Sequence, residues 1–401
     1  MSKRPWYRAA APPLPLALAL LLPVALLLGL VGPQAATAAP RPASGRAALP
    51  AAPPPGAPQV PAPASRRPVG TTSAHVVDTG RRDPWRADAA TRELMVTFWY
   101  PALSSRGARA PYMSAELSTA LFGGPDLAAV RTGAAAGATP APGRHPLVVL
   151  SPGFGYSRTS LTGLAEDLAA RGYAVAALDH TYETAVQFPD GRVEACLICG
   201  RTDDRLGTEV TLSRAQDIRF LIDRLTAPGP GPVRGLRIDP SRIGAAGHSL
   251  GGASAVEAMR EDSRIRAAAN LDGDFFAPLP ADGLARPVLL LSARRSNDAP
   301  EAAANWEETW KRLTGWKRWL DLPEGGHLSS CDMPWLLDAF GVRDQLPPET
   351  AHDQYGSLGG ERALAASRTY LGAFFDRHLL GRPSPELNRP SANYPEVRFV
   401  K

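Results

Sequence analysis

Cysteine is nearly missing from this chain: three are present in 401 residues, at positions 196, 199 and 331. So few thiols exclude a small fold held by a disulfide framework, and an odd number leaves one over from any internal pair. Cys196-Leu197-Ile198-Cys199 has the spacing of a redox or zinc motif, but no second pair completes a zinc site. The motif follows Asp190-Gly191 in what reads as a long loop, which does not suit a thioredoxin-like role. A structural disulfide is expected, with the pairing left open. No internal repeat occurs, and no run of Lys or Arg interleaved with aromatics marks a nucleic-acid surface.

A long apolar run occurs once, over residues 14–30, and it carries Pro15 and Pro23. It is short for a membrane span. Lys3, Arg4 and Arg8 precede it, and Ala36-Thr37-Ala38 follows as a small-residue cleavage site. Residues 1–38 are expected to be a cleavable export signal, which makes the protein a secreted one. No cysteine lies near the cleavage point, which argues against a lipid anchor there. Loss of this segment removes three positive charges and lowers the formal charge from +5 to +2. Residues 39–68 are rich in Pro and Ala and cannot bury a core, so they are read as a spacer.

What remains, 69–401, has globular composition: over the whole chain 44% of residues are hydrophobic and 21% charged. Two strands are expected at 74–77 and 94–100, then a loop-like stretch to about residue 143. After it, apolar runs at 147–150, 173–178, 243–246, 267–271, 288–291 and 319–322 alternate with helical patterns. The helices are read at 161–171, 212–225, 251–259 and 362–380. Fully apolar strands separated by helices predict an α/β fold with a mostly parallel sheet covered on both faces. Ligands in such sheets bind at the carboxyl ends of strands, so residues just after each strand carry the most information.

One of those ends reads Gly247-His248-Ser249-Leu250-Gly251. By composition alone a Gly-x-Ser-x-Gly pattern arises about 0.2 times in such a chain, so the pattern by itself is weak. Its place between a strand and a small-residue helix strengthens it. A sharp strand-to-helix turn exposes the serine hydroxyl and aims a helix N-terminus at the reaction centre. Ser249 is therefore the candidate nucleophile.

A serine hydroxyl needs an imidazole to take its proton. Of seven histidines, His327 ends the 319–322 strand on a glycine-rich loop, Pro323-Glu324-Gly325-Gly326, and lies after the serine. It is the expected base, with His352 as the alternative. His248 adjoins Ser249, but the tight turn directs its side chain elsewhere. His180 ends a strand and is expected to line the pocket. An orienting acid should fall between serine and histidine in the chain. Asp272, directly after 267–271, and Asp298, further beyond 288–291, both qualify. Two backbone N–H groups should hold the oxyanion. Leu250 follows the nucleophile, and Phe154 lies in Ser151-Pro152-Gly153-Phe154-Gly155 after the 147–150 strand. Phe154, Phe275 and Phe276 are candidate pocket walls.

These stretches, together with Asn270-Leu271-Asp272-Gly273 and Glu93-Leu94-Met95-Val96-Thr97-Phe98-Trp99-Tyr100-Pro101, resemble the α/β-hydrolase superfamily. More narrowly they look like the platelet-activating-factor acetylhydrolase type and its secreted bacterial lipase and esterase relatives. The likeness runs from about residue 69 to 380. It implies an α/β-hydrolase fold and a serine ester hydrolase with Ser249, Asp272 and His327 as the triad. It places Phe154 at the family's oxyanion position. The expected substrate is a lipid or small-molecule ester, with polyesters also within reach. Neither metal nor organic cofactor is required, and a monomer with transient lipid-surface contact is expected. One departure stands out: Pro152-Gly153 replaces the family's usual His-Gly. From another class, a non-catalytic binding or envelope-associated protein on the same scaffold is the rival reading.

Overall fold

Residues 147–150, Leu-Val-Val-Leu, show how the sequence builds the molecule. Successive side chains of a strand point to opposite faces. Leu147 and Val149 enter one core, Val148 and Leu150 the other, and all four are fully buried. The strand is thus covered on both sides, which is why it reads as continuously apolar.

The computed structural model describes residues 56–293 and 300–401 apart from 125 and 204. The expected export signal, the first part of the spacer and Asp298 lie outside the described residues. The strands are β1 (Val69–Asp78), β2 (Arg92–Pro101), β3 (Arg109–Pro111), β4 (Arg131–Ala136), β5 (His145–Ser151), β6 (Ala174–His180), β7 (Val186–Gln187), β8 (Val193–Glu194), β9 (Ile238–His248), β10 (Ile265–Leu271), β11 (Val288–Ala293), β12 (Lys317–Leu322) and β13 (Arg398–Phe399). Eleven of them form one sheet in the order β13-β12-β11-β10-β9-β5-β6-β2-β1-β4-β3. The six from β12 to β6 are mutually parallel. β2 joins β6 antiparallel, and β1 joins β2 antiparallel. β7 and β8 make a separate hairpin.

The main helices are α1 (Ala115–Phe122), α2 (Thr162–Arg171), α3 (Leu206–Thr226), α4 (Leu250–Glu261), α5 (Pro300–Arg312), α6 (Met333–Phe340) and α7 (Gly360–Leu380). Leu164 and Leu168 of α2 and Leu364, Leu371 and Phe374 of α7 cover one sheet face. Ile218, Leu221 and Ile222 of α3, Val256 of α4 and Trp306 of α5 cover the other. The architecture is the α/β-hydrolase fold that the strand pattern and the resemblance led us to expect.

The stretch expected as a loop up to residue 143 instead holds β3, α1 and β4. α1 begins at Ser114, whose side chain accepts the Leu117 N–H, and ends at Gly123 in the left-handed conformation (φ 79°). Residues 56–68, read from composition as the end of a spacer, lie against the sheet. Val60 is buried, and residues 58–60 exchange backbone hydrogen bonds with Arg131. Side chains elsewhere hold the segment too: Ala64 N–H donates to Asp167 Oδ1 (3.0 Å), and Arg368 Nη1 donates to Ala62 O (3.2 Å).

Candidate active site

β9 ends at His248 and α4 starts at Leu250, so Ser249 alone makes the corner. Its backbone sits at φ 56°, ψ −130°, a region that non-glycine residues avoid. The surroundings hold it there. Its N–H donates to Leu271 O across the sheet (2.8 Å), and the first turn of α4 closes on its carbonyl. Gly251 makes the corner possible: a Cβ at that position would overlap the carbonyl oxygens of Ser151 and Pro152.

Asp272 repeats the device at the end of β10. It has φ 58°, and its N–H donates to Leu291 O of the next strand (2.8 Å). Asp272 Oδ1 accepts the Ala293 N–H (2.7 Å). Asp272 Oδ2 is then 2.7 Å from His327 Nδ1, and His327 Nε2 is 3.0 Å from Ser249 Oγ. Asp272 is 3% exposed and His327 9%, so the line of hydrogen bonds runs from the interior toward an open serine. With Nδ1–H donated to the carboxylate, Nε2 carries the lone pair that faces the hydroxyl.

His327 lies on a loop without regular structure, yet its backbone is tied at both polar groups. Its N–H donates to Asp353 O (2.9 Å), and its carbonyl accepts from His248 Nε2 (2.7 Å). The side chain of His248 therefore points away from Ser249's hydroxyl and supports the base from behind. A Cβ on Gly153 would come within 2.7 Å of His248 Nδ1, so Pro152-Gly153 leaves room for this imidazole. His352, the alternative base, is exposed on the 351–355 turn whose carbonyls carry His327 and Leu328.

Leu250 is the first residue of α4, where helical geometry leaves an N–H without an intrahelical acceptor. Phe154 sits in the turn after β5, where Tyr156 N–H donates to Gly153 O (3.1 Å). Among the described residues no backbone acceptor takes the Phe154 N–H. Leu250 directly follows Ser249, and the turn that holds Phe154 leaves the end of β5, which pairs with the end of β9 through Ser151 and Gly247. Leu250 packs with Ile198, Leu206 and Val210, and the half-buried Trp85, Phe154, Cys196 and Phe276 complete that wall. The two phenylalanines after Asp272 thus divide: Phe276 joins the wall, while Phe275 turns into the core against Trp306 (6.0 Å between ring centroids).

His180 does not line a pocket. It is 1% exposed, lies between Ser151 Oγ (2.8 Å from Nε2) and Asp217 Oδ2 (2.8 Å from Nδ1), and cannot reach solvent. Burial, helped by the nearby Arg214 charge, holds it below the ordinary histidine range. Burial alone would raise Asp217, but Arg92, the His180 bond and Arg81 hold it well below the usual carboxylate range. The sequence gives no local sign of this network, because its members come from β2, β5, β6 and α3. The cysteines divide as one disulfide, Cys196–Cys199, and a buried free thiol at Cys331. Burial pushes the Cys331 thiol far up, so it is inert as a nucleophile.

A parallel sheet carrying a serine at a sharp strand-to-helix corner, with an aspartate at the end of the next strand and a histidine on the loop after β12, defines the class of α/β-hydrolases. Comparison with known proteins narrows this. The family model for platelet-activating factor acetylhydrolase, isoform II, matches residues 115–188. A solved structure of a ferulic acid esterase from Streptomyces cinnamoneus is 58% identical, with a TM-score of 0.82, over 86% of this chain and all of that one. A probable 1-alkyl-2-acetylglycerophosphocholine esterase from Arthroderma benhamiae is 30% identical over 64% of this chain. A bis(hydroxyethyl) terephthalate hydrolase from Streptomyces coelicolor is 29% identical over 39%. The match spans 66% of the fungal relative and 41% of the terephthalate hydrolase. The chain belongs to the platelet-activating-factor-acetylhydrolase-like α/β-hydrolases, a family of carboxylic ester hydrolases.

Proposed function

We propose that the protein is a secreted serine esterase that cleaves small carboxylic esters through an acyl-enzyme on Ser249. The observation that carries this reading is the unbroken line Ser249 Oγ, His327, Asp272, with contacts of 3.0 and 2.7 Å. Ser249 Oγ attacks the ester carbonyl while His327 Nε2 takes its proton. Phe154 and Leu250 N–H groups stabilise the negative charge that develops on the carbonyl oxygen. His327 then gives the proton to the leaving alcohol, and water repeats the cycle to release the acid. Asp272 keeps the imidazole in the productive tautomer and stabilises its cation.

For the acid portion we favour a small aromatic group such as a ferulate. Two observations support this: the likeness over 86% of the chain to a protein described as a ferulic acid esterase, and the wall of Trp85, Phe154 and Phe276 beside Leu250. A short acyl chain on a phospholipid is the second reading, favoured by the fungal acetylglycerophosphocholine esterase. Export rests on the residue pattern of 1–38 and is compatible with the Cys196–Cys199 disulfide.

The test is a panel of esters: methyl ferulate, p-nitrophenyl acetate, a short-acyl phospholipid and bis(hydroxyethyl) terephthalate. A fluorophosphonate probe with peptide mapping accompanies it. The expected result is labelling at Ser249 and the highest kcat/KM on the ferulate. A preference for the phospholipid overturns the aromatic reading. Absence of labelling together with absence of turnover favours the non-catalytic binding protein.

A further inference from the structure

We infer that Glu183 and Arg214, a fully buried ion pair outside the triad, are positioning residues that hold the Phe154 N–H in the oxyanion site. The inference rests on Ser249 being the nucleophile. An oxyanion donor works only when its N–H is held within a few tenths of an ångström of the developing charge. Phe154 lies in a turn with a glycine on either side, so its own sequence does not fix it. Something outside the turn must do so.

Both ends of the turn are held by the same residue pair. On the near side, Arg214 Nη1 donates to Pro152 O at 2.5 Å. On the far side, Gly155 N–H donates to Glu183 O at 3.1 Å, and Thr184 Oγ1 donates to Gly155 O at 3.1 Å. The pair closes on itself: Arg214 Nε donates to Glu183 Oε2 at 2.5 Å, and Trp85 Nε1 donates to Glu183 Oε1 at 3.0 Å. Glu183 thus grips one end of Pro152–Gly155 with its backbone and the other through the guanidinium of Arg214. The fork geometry of Arg suits this double contact, which a lysine point charge cannot reproduce.

The support extends outward to the disulfide loop. Tyr182, which precedes Glu183, takes a positive φ of 69°. Its carbonyl accepts the N–H groups of Leu197 (2.8 Å) and Ile198 (3.4 Å), both between the bridged cysteines. Cys199 Sγ lies 3.7 Å from Glu183 O. The Cys196–Cys199 bridge therefore shapes the segment that fixes Tyr182, and Tyr182 aims Glu183. A buried ion pair is a poor device for stability, since desolvation offsets most of its attraction. Holding a loop to a fixed geometry is a task for which such a pair is suited.

The test uses the full chain with Arg214→Met, Arg214→Lys, Glu183→Gln and the double variant Cys196→Ser/Cys199→Ser. Active sites are titrated with the fluorophosphonate before kinetics, so every rate is per competent site. Three readouts follow: kcat and KM on p-nitrophenyl acetate, affinity for a phenylboronic acid that forms a tetrahedral adduct on serine, and the pH midpoint of kcat/KM. For Arg214→Met we expect kcat to fall roughly 10- to 100-fold with KM within about threefold, because a misplaced donor weakens the transition state alone. Boronate affinity falls by a similar factor, and the pH midpoint stays, since His327 is untouched. Arg214→Lys recovers part of the loss, and the double serine variant shows a smaller loss in the same direction. Should Arg214→Met not fold, Arg214→Lys and Glu183→Gln carry the same expectation in milder form. Folded variants with unchanged kcat per site and unchanged boronate affinity overturn the inference. Turnover surviving in Ser249→Ala overturns the proposed function instead, whatever the Arg214 variants do.

Discussion

At the scale of single residues, the site is a set of side chains whose backbones are fixed before their chemistry begins. Ser249 and Asp272 are both held at positive φ by N–H bonds to a neighbouring strand. His327, on an irregular loop, is tied by its own N–H and carbonyl. Asp272→Asn should leave this framework in place, since Oδ1 still accepts from Ala293. It would present an amide to His327 and favour the wrong tautomer. We expect kcat on a p-nitrophenyl ester to fall about 10³- to 10⁴-fold with little change in the thermal midpoint. A loss below tenfold would mean that Asp272 does not orient the base. These residues were legible because each follows a strand, where the chain has few alternatives. The choice between Asp272 and Asp298 was not legible from spacing. It needed the resemblance; the structure places Asp272 Oδ2 2.7 Å from His327 Nδ1, and Asp298 lies outside the described residues. The role of His248 was half legible: the tight turn turned it from the serine, but only the fold shows that it meets the His327 carbonyl.

At the scale of elements, the parallel strands from β12 to β6 were readable because burial on both faces makes them continuously apolar. β3, α1 and β4 were missed for a physical reason. β4 reads Arg-Thr-Gly-Ala-Ala-Ala, with Thr132 its one β-branched residue and no large apolar side chain, and is held as a strand by its neighbours. α1 is only eight residues long, and its Ser114 and Gly123 caps were the signal available. At Gly251, α4 comes close against the loop after β5. Gly251→Ala would drive a methyl into two backbone carbonyls that cannot rotate away. We expect a loss of about 1–3 kcal/mol in unfolding free energy, read from urea melts, and a fall in kcat as the loop after β5 is pushed outward. An alanine variant of wild-type stability and rate would show that α4 does not pack so tightly against that loop.

At the scale of the whole molecule, two buried acids outside the triad set a pH dependence of stability. Glu166 accepts the N–H groups of Gly133 and Ala134, and Asp332 accepts from Gly163 N–H and Tyr112 Oη. Burial pushes both up to about 7, with the Arg368 charge opposing. Their folded values lie above the ordinary carboxyl range, so the native state binds more protons than the unfolded chain between about pH 4 and 7. Their contribution to stability is therefore full at low pH and is lost as pH rises through 7. Glu166→Gln should reduce the decline in unfolding free energy between pH 5 and pH 8, by on the order of 2 kcal/mol. Equal slopes in the two proteins would place the Glu166 carboxyl in the ordinary range. Such long-range features come from elements brought together only by folding, and the sequence carries no local mark of them. The central claim, an acyl-enzyme on Ser249, is tested most directly by quenching the protein with acid during turnover of p-nitrophenyl acetate and mapping the acetyl group by peptide mass. The account predicts acetyl on Ser249 in the wild type, and neither adduct nor turnover in Ser249→Ala. Acetyl on another residue, or full turnover by Ser249→Ala, would contradict it.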